Sequence, residues 1–353
     1  ILTDSGRSAL SVILMGLGSL RPGRDEVIIP AYTSYSVPAA VVRAGFRVRL
    51  CDVEMETLGL SPKELERVIS PRTLCVVPNH LYGVPCQIKA VCEVARFHGI
   101  PVVEDAAQAM AINGGDRFSR VTIYSLGRGK TIPAAGGGLI GTNDEALATQ
   151  CQRIMADKLS VDSHSASFGL RHAIETAFMS LFIRPSLYWF PASLPFLQLG
   201  ASIYNPRFPI GLMSRFQMAL AVRLLSDLEE LQNVRKANAI HLGLALAELK
   251  KVCIISSREG ETHAPLRLPV LIQDHSTRNK LLTELQVRGL GATGGYPSPL
   301  SEIPALQPHL ADSEGHFPIA RRISRHLVTL PTHVWVNDGD IKQMVEVFQQ
   351  WIR

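Results

Sequence analysis

The chain has 353 residues, of which 46% are hydrophobic and 19% are charged, a composition that excludes a disordered chain and allows two domains with a large shared core. Its net charge of +5 is small and dispersed, so it argues against a nucleic-acid partner, although a weak positive field favours an anionic small molecule. None of the six cysteines forms a CxxC pair or precedes a histidine at zinc-finger spacing, so we predict no metal site and reduced thiols in a cytoplasmic protein.

A helix is predicted near the start of the chain. Ser5 or Ser8 can cap it, apolar residues recur at helical spacing, and Gly18 and Pro22-Gly23 are expected to end it. Because the first turn of a helix presents N–H groups without partners, this start is a natural phosphate site. The sequence shows no signal peptide. Its abrupt beginning at Ile1 leads us to expect a further segment before it.

Short apolar strands alternate with helices over the first hundred residues. Strands are predicted at 27–30, 46–51, 74–78 and 100–104, and helices at 37–44, after 61 and at 88–98. This alternation predicts an α/β fold in which helices cover both faces of a mostly parallel sheet.

Residues 102–130 carry the side chains that point most clearly to chemistry. One apolar run ends at Asp105, and a second, at 121–125, ends in Ser125, a Gly-Arg-Gly turn and Lys130. Ligands of open α/β sheets bind at the carboxyl ends of strands, so this acid, hydroxyl and amine are expected to share one crevice. The trio suits pyridoxal phosphate (PLP), because a carboxylate keeps the pyridine protonated, a lysine forms the Schiff base and a hydroxyl holds the phosphate.

Four motifs, in this order, resemble those of the DegT/StrS-type sugar aminotransferases, which are PLP enzymes of fold type I. They are Ile28-Ile29-Pro30-Ala31-Tyr32-Thr33, Pro78-Asn79-His80-Leu81-Tyr82-Gly83, Glu104-Asp105-Ala106-Ala107-Gln108-Ala109, and Ser125 placed five residues before Lys130. The resemblance extends from about residue 5 to the C-terminus. It implies a fold type I large domain and a smaller α+β C-terminal domain.

The resemblance also implies roles for the matching residues. Lys130 is expected to form the Schiff base and to shuttle a proton as general base and acid, and Asp105 is expected to stabilise the protonated ring. Gln108 is expected to approach the ring hydroxyl, while Ser125 and the turn at Gly6 hold the phosphate. The retained lysine argues against those relatives that use the cofactor for dehydration.

Some cofactor positions depart from the family pattern. Arg7 stands where relatives have a phosphate-binding threonine, so it is expected either to bind phosphate by charge or to be a solvated surface residue. Ser34 stands where an aromatic residue often stacks on the ring, and the stacking partner stays open between Tyr35 and Tyr32, with a structural role for both as the alternative. Both Ser34 and Tyr35 are predicted to bind the cofactor. Gly136 replaces a glutamate in the glycine-rich loop that follows.

The expected homodimer contact is also altered. In relatives an asparagine crosses the dimer interface to the neighbour's phosphate, and here Ile210 matches that position. Arg207 or Arg215 is expected to replace this contact, or else the contact is absent.

Three residues are predicted to bind the substrate: His80, Arg215 and Tyr296. His80 follows a strand end, and Tyr296 lies in a loop where relatives have His-Tyr-Pro, with Gly295 in place of the histidine. For His80 and Tyr296 a structural role is the alternative.

The second half of the chain is divided as follows. A helix is predicted at 144–159, and an apolar insertion at 160–208 is interpreted as extra core or a dimer-contact helix pair, a wall of the substrate site, or a membrane-surface contact. The insertion contains no uninterrupted run of the roughly 20 apolar residues that a membrane span needs. A long helix is expected from 211 to about 249. The predicted domains are 1–235 and 236–353.

Together these inferences predict a PLP-dependent aminotransferase that acts on a nucleotide-linked keto-sugar with glutamate as amino donor, in surface polysaccharide or secondary-metabolite biosynthesis. One alternative is an aminotransferase for a non-nucleotide or lipid-linked substrate, which the insertion motivates. Another is a PLP-binding regulator without catalysis, which the departures at Arg7, Ser34, Ile210 and Gly295 motivate.

Overall fold

The computed structural model of the chain describes residues 1–110, 119–158, 203–255, 263–312 and 315–352. Strands and helices alternate through the first 158 residues. Their bounds are β1 (Leu2–Thr3), α1 (Gly6–Leu20), β2 (Glu26–Pro30), α2 (Ser36–Arg43), β3 (Arg47–Cys51), α3 (Pro62–Val68), β4 (Thr73–Val76), α4 (Ile88–Phe97), β5 (Val103–Asp105), β6 (Val121–Ser125), β7 (Gly138–Thr142) and α5 (Glu145–Lys158).

These strands form one sheet in the order β3-β2-β4-β5-β6-β7-β1. Two ladders, β3-β2-β4 and β5-β6-β7-β1, are joined by parallel bridges from Val76 to Val102 and from Asn79 to Asp105. The pairs β2–β3, β2–β4 and β5–β6 are parallel, whereas β7 is antiparallel to β6 and to β1. Every residue of β2 is buried, as expected for a strand covered on both faces. The predicted α/β class with a mostly parallel sheet is confirmed.

Helix α1 begins where the sequence predicts. The Ser5 hydroxyl accepts the N–H of Ser8 at 3.3 Å and so caps the helix. Of the residues predicted to end the helix, Gly18 lies inside it, whereas Pro22-Gly23 follows shortly after its last residue, Leu20. A Cβ at Gly18 would lie 2.5 Å from the ring of Phe46, so this glycine serves close packing rather than helix termination.

The C-terminal elements are α6 (Arg215–Leu225), α7 (Leu228–Leu246), β8 (Val252–Ile254), β9 (Arg267–Ile272), α8 (His275–Val287), α9 (Pro318–His326), β10 (Leu327–Pro331) and α10 (Asp338–Trp351). Strands β10, β9 and β8 form an antiparallel sheet in that order. One apolar core cluster gathers side chains only from Ala239 onwards. The boundary predicted near residue 235 stays a prediction.

The expected single helix from 211 to about 249 is wrong, because α6 ends at Leu225 and α7 begins at Leu228. At the break, the Ser226 hydroxyl donates to the Arg223 carbonyl at 2.6 Å, and the Asp227 carboxylate accepts from the Arg223 guanidinium at 2.9 Å. Serine and aspartate side chains compete with the backbone for hydrogen bonds, which explains the interruption.

In the part of the chain that the structure describes, no helix has the length and apolarity needed to cross a membrane. Most of the predicted insertion, residues 160–202, lies outside the described residues. The interpretations of that insertion therefore stay predictions.

Candidate functional site: a lysine and a carboxylate at the carboxyl edge of the sheet

Asp105 ends β5 near the middle of the sheet. Its N–H donates to the Pro78 carbonyl at 2.8 Å, and its own carbonyl accepts the N–H of His80 at 3.2 Å. One carboxylate oxygen accepts the N–H of Ala107 at 2.9 Å. Burial raises the pKa of Asp105, while the Ala107 N–H and the charge of Lys130 pull the pKa down. Asp105 is therefore a buried acid whose charged form depends on a main-chain donor and a lysine.

A tight turn after β6 brings Lys130 to the Asp105 side of the sheet. The N–H of Lys130 donates to the Gly127 carbonyl at 3.2 Å, and Gly129 has a φ of +70°. Burial lowers the pKa of the lysine amine, and the Asp105 carboxylate opposes that shift. An amine with a lowered pKa is more often neutral and therefore a better nucleophile and base.

The start of α1 contacts the end of β6 at one point. A Cβ added to Gly6 would lie 2.8 Å from the Cβ of Ser125 and 3.1 Å from its hydroxyl oxygen. The first-turn amides of a helix and a serine hydroxyl are both donors that suit a phosphate. This junction is the candidate phosphate end of the site.

Arg7 extends away from this junction towards another side chain. Its guanidinium carbon lies 4.4 Å from the centre of the Phe208 ring, and the residue is exposed. A cation over an aromatic ring is a favourable contact on its own. A phosphate contact by Arg7 stays a prediction.

Gln108 links the Asp105 segment to the C-terminal part of the chain. Its Oε1 accepts the N–H of Tyr82 at 2.9 Å, and its Nε2 donates to the Tyr296 hydroxyl at 3.2 Å. Gln108, Asp105 and Tyr296 therefore lie together, and burial raises the pKa of the Tyr296 phenol, as does the nearby Asp105 charge.

Tyr296 packs within a cluster of tyrosine rings. Its ring centre lies 5.9 Å from that of Tyr35 and 6.2 Å from that of Tyr82, with interplanar angles of 26° and 21°. Tyr32 meets it edge-on, at 5.9 Å and 68°. The space of the missing Gly295 side chain is filled by this cluster, since a Cβ there would lie 2.6 Å from the hydroxyls of both Tyr32 and Tyr82.

Ser34 and Tyr35, the residues predicted to contact the cofactor ring, lie beside this tyrosine cluster. The Ser34 hydroxyl pairs with that of Ser36 at 2.8 Å, and the Tyr35 hydroxyl pairs with that of Ser298 at 2.9 Å. The ring of Tyr35 packs against Tyr296, so the structure gives it an aromatic neighbour of its own. A cofactor contact by Ser34 or Tyr35 stays a prediction.

His80 is held inside the protein at both ring nitrogens. Its Nδ1 accepts the N–H of Cys86 at 3.1 Å, and its Nε2 lies 2.8 Å from the Glu104 carboxylate. The Ser119 hydroxyl also donates to Glu104. His80 is buried, with 2% of its surface exposed. Both ring nitrogens are thus engaged within the protein, and a substrate contact by His80 stays a prediction.

The residues expected at the dimer interface lie in two different environments. Ile210 is buried in its own subunit, whereas Arg207 and Arg215 are exposed. Arg215 is the first residue of α6, so a role in binding the partner or the substrate stays a prediction.

Gly136 is required by a neighbour that the sequence analysis did not single out. It has a φ of +120°, and a Cβ there would lie 2.6 Å from Nε2 of Gln217. Gln217 is buried and donates from that nitrogen to the Ala135 carbonyl at 3.1 Å. A side chain at this position would be strained at that φ and would have to displace the Gln217 amide.

Tyr82, which packs against Tyr296 and donates its N–H to Gln108, is a further site residue that the sequence did not predict. It is buried and adopts a left-handed φ of 56°, and its hydroxyl lies beside that of Tyr32, each 2.6 Å from where a Cβ of Gly295 would stand. The signal available was its place in a recognised motif, directly before Gly83.

The donor set at this edge of the sheet fits PLP. A half-buried lysine amine can bind the carbonyl carbon, a buried carboxylate can pair with the pyridinium nitrogen, and a helix start beside a serine can take the phosphate. Gln108 adds an amide that can donate to the ring hydroxyl.

The sequence profile of the DegT/DnrJ/EryC1/StrS aminotransferase family matches residues 1–349. The chain belongs to this family. The predicted family is confirmed, and with it the enzyme class, an aminotransferase, and the PLP cofactor that the resemblance implied.

Two relatives and one solved structure are similar over almost the whole chain. UDP-2-acetamido-2-deoxy-3-oxo-D-glucuronate aminotransferase of Pseudomonas aeruginosa is 26% identical over 343 residues, which covers 96% of this chain and 82% of the relative. Spore coat polysaccharide biosynthesis protein SpsC of Bacillus subtilis is 25% identical over 361 residues, which covers 100% of this chain and 85% of the relative. The structure of Bacillus subtilis NtdA with bound cofactor PMP has a TM-score of 0.77 at 21% identity, and the match covers 99% of this chain and 72% of NtdA. This last likeness supports the fold.

Proposed function

We propose that this family member transfers an amino group from glutamate to the keto group of a nucleotide-linked sugar, in the biosynthesis of a surface polysaccharide or a secondary metabolite. The observation that carries the proposal is the electrostatically coupled pair of half-buried Lys130 and buried Asp105 at the carboxyl edge of the sheet. The sugar class is supported by the relatives, one named for a UDP-linked 3-oxo sugar acid and one for spore coat polysaccharide.

PLP, when bound, supplies an electron-withdrawing ring that stabilises negative charge on the carbon bearing the amino group. Lys130 would hold the cofactor through its Nζ and move the proton that leaves the donor carbon and later reaches the sugar carbon. Its lowered pKa favours the neutral amine needed for that task. Asp105 would keep the pyridine nitrogen protonated, and Ser125 with the Gly6 turn would hold the phosphate.

The test is spectroscopic. Protein incubated with PLP should show the absorption band of lysine-bound cofactor, glutamate should remove the band, and the correct keto-sugar nucleotide should restore it. Candidate sugars linked to UDP or TDP would be screened for this return. Lys130→Ala should lose both the band and turnover, while Lys89→Ala, which changes an exposed lysine of α4, should keep both. A Lys130→Ala protein with normal spectrum and turnover would refute the assignment.

A homodimer in the cytoplasm is part of the same proposal. The apolar side chains of Val222 on α6 and Leu244 on α7 are 71% and 72% exposed in the single chain, as expected for a surface that a second copy covers. All six cysteines are free thiols, which is consistent with a reducing compartment. Sedimentation equilibrium at micromolar concentration should give twice the mass of 38.6 kDa. A single species at the monomer mass would contradict the dimer.

A further inference from the structure

The carboxamide of Gln108 has only one orientation that its surroundings permit. The N–H of Tyr82 lies 2.9 Å away and can only donate, so the atom facing it must be the oxygen Oε1. The nitrogen Nε2 is therefore the atom on the opposite side. It carries two hydrogens, of which the Tyr296 hydroxyl accepts one at 3.2 Å. The second hydrogen has no protein acceptor among the described residues.

Tyr296 is held firmly enough to fix that nitrogen. The Tyr32 hydroxyl accepts the N–H of Tyr296 at 3.0 Å and donates to the Tyr296 carbonyl at 3.2 Å. Just before it in the loop, the Gly294 carbonyl accepts from the Arg278 guanidinium at 3.1 Å. The rings of Tyr35 and Tyr82 pack near-parallel to that of Tyr296.

The small residues of this particular chain make the arrangement possible. Gly295 leaves room for the hydroxyls of Tyr32 and Tyr82, each 2.6 Å from where its Cβ would stand. The short Ser34 side chain lies beside the Tyr296 hydroxyl and forms a hydrogen bond with it. Tyr296 is thereby packed among these rings with its hydroxyl beside Gln108, 188 residues away in the sequence.

We propose that Tyr296 is a positioning residue that acts through Gln108: its hydroxyl holds Nε2 so that the second N–H stays available for the ring oxygen of bound PLP. The inference rests on the proposed function, because it needs a bound cofactor. Without the Tyr296 hydroxyl, the carboxamide keeps only its contact with Tyr82 and can rotate away from the ring. A residue that orients a ligand-binding side chain in this way commonly changes the properties of the ligand that the side chain binds.

The consequence is a shift in the protonation of the bound cofactor. A donor to the ring oxygen stabilises negative charge there, and that oxygen then holds a neighbouring proton less tightly. Weakening the donor therefore raises the midpoint pH at which the absorption band of the bound cofactor titrates. Because Tyr296 acts through Gln108, its removal should have no effect once Gln108 is gone.

The experiment titrates PLP-loaded protein from acid to base and follows the absorption band. Gln108→Ala should raise the midpoint, and Tyr296→Phe should raise it in the same direction by at least about half a pH unit, a roughly threefold change in the protonation equilibrium. The double variant should match Gln108→Ala alone. Tyr204→Phe is the matched control, because it removes a buried phenol hydroxyl that has no hydrogen-bond partner within the described part of the chain, and it should leave the midpoint unchanged.

Two results would overturn the inference while leaving the proposed function intact. One is a normal band in Tyr296→Phe with the wild-type midpoint. The other is a double variant in which the two shifts add, because then Tyr296 acts independently of Gln108. Wild-type protein that shows no band with PLP would instead refute the proposed function, and this inference with it.

Discussion

Asp105 and Lys130 follow neighbouring parallel strands, β5 and β6, and each opposes the effect that burial has on the pKa of the other. Burial alone would favour a protonated acid and a neutral amine. Their mutual attraction restores part of the charge on both. A cofactor placed between such groups meets an anion on one side and a nucleophile on the other, which is the arrangement that PLP chemistry requires.

Replacing Asp105 by Asn should slow the glutamate half-reaction at least about 100-fold, because a neutral amide cannot stabilise a protonated ring nitrogen as a carboxylate does. The measurement is the rate of loss of the cofactor band in a single turnover. Asp25→Asn is the control, since Asp25 is half-buried and pairs with Arg72 away from this site. A rate within tenfold of wild type for Asp105→Asn would contradict the assigned role.

Replacing Gly6 by Ala should weaken PLP binding more than pyridoxal binding. The new Cβ would lie 2.8 Å from the Cβ of Ser125, so the helix start and the serine must separate, and the phosphate donors separate with them. Dissociation constants for PLP and for pyridoxal, which lacks the phosphate, isolate this effect. Gly243→Ala in α7 is the matched control, because nothing lies within 4 Å of its added Cβ. An equal loss for both ligands would show that Gly6 does not serve the phosphate.

Replacing Gly295 by Ala should destabilise the protein by about 1–3 kcal/mol, as overpacking does. The φ of +74° is unfavourable for a side chain, and the Cβ would meet the hydroxyls of Tyr32 and Tyr82. Adding Tyr82→Phe removes one of those oxygens and should restore part of the lost free energy of unfolding in urea. Tyr204→Phe in the same background should restore none. Full stability of Gly295→Ala would mean that the tyrosine cluster is loosely packed.

Replacing Glu104 by Gln should lower the free energy of unfolding at neutral pH by about 1.5–3 kcal/mol, the range for hydrogen bonds to charged groups. Burial raises the pKa of Glu104, but its hydrogen bonds to His80, Ser119 and Thr122 outweigh burial and hold the pKa below its ordinary value of 4.5. A depressed carboxyl pKa stabilises the fold above the ordinary value, and this contribution is lost as the pH falls through the folded-state pKa.

The difference between wild type and Glu104→Gln should therefore be complete above pH 4.5 and shrink at lower pH. Urea denaturation at a series of pH values measures it. Glu64→Gln, at an exposed ion pair with Arg67, is the control and should change stability little. A difference that stays constant down to the lowest pH would show that the charge of Glu104 is not what stabilises the fold.

The sequence alone determined the alternation of strands and helices, because buried parallel strands and capped helices leave periodic and local signals. It also predicted Lys130 and Asp105 as site residues, since Asp105 ends one apolar run and Lys130 follows the turn after the next, so that both are expected at the carboxyl edge of the sheet. The α6–α7 break was not foreseen, because Ser226 and Asp227 are compatible with either a helix or its end until their hydrogen bonds are known.

Only the tertiary structure decided how residues far apart in the chain combine. Tyr296 and Gln108 become partners through packing of the 293–298 loop against Tyr32 and Tyr82, and no local pattern records such a contact. His80 could be assigned to the interior only when both of its ring nitrogens were seen to be engaged. Local sequence patterns reflect interactions along one element, whereas the shape of the site depends on side chains that different elements bring together.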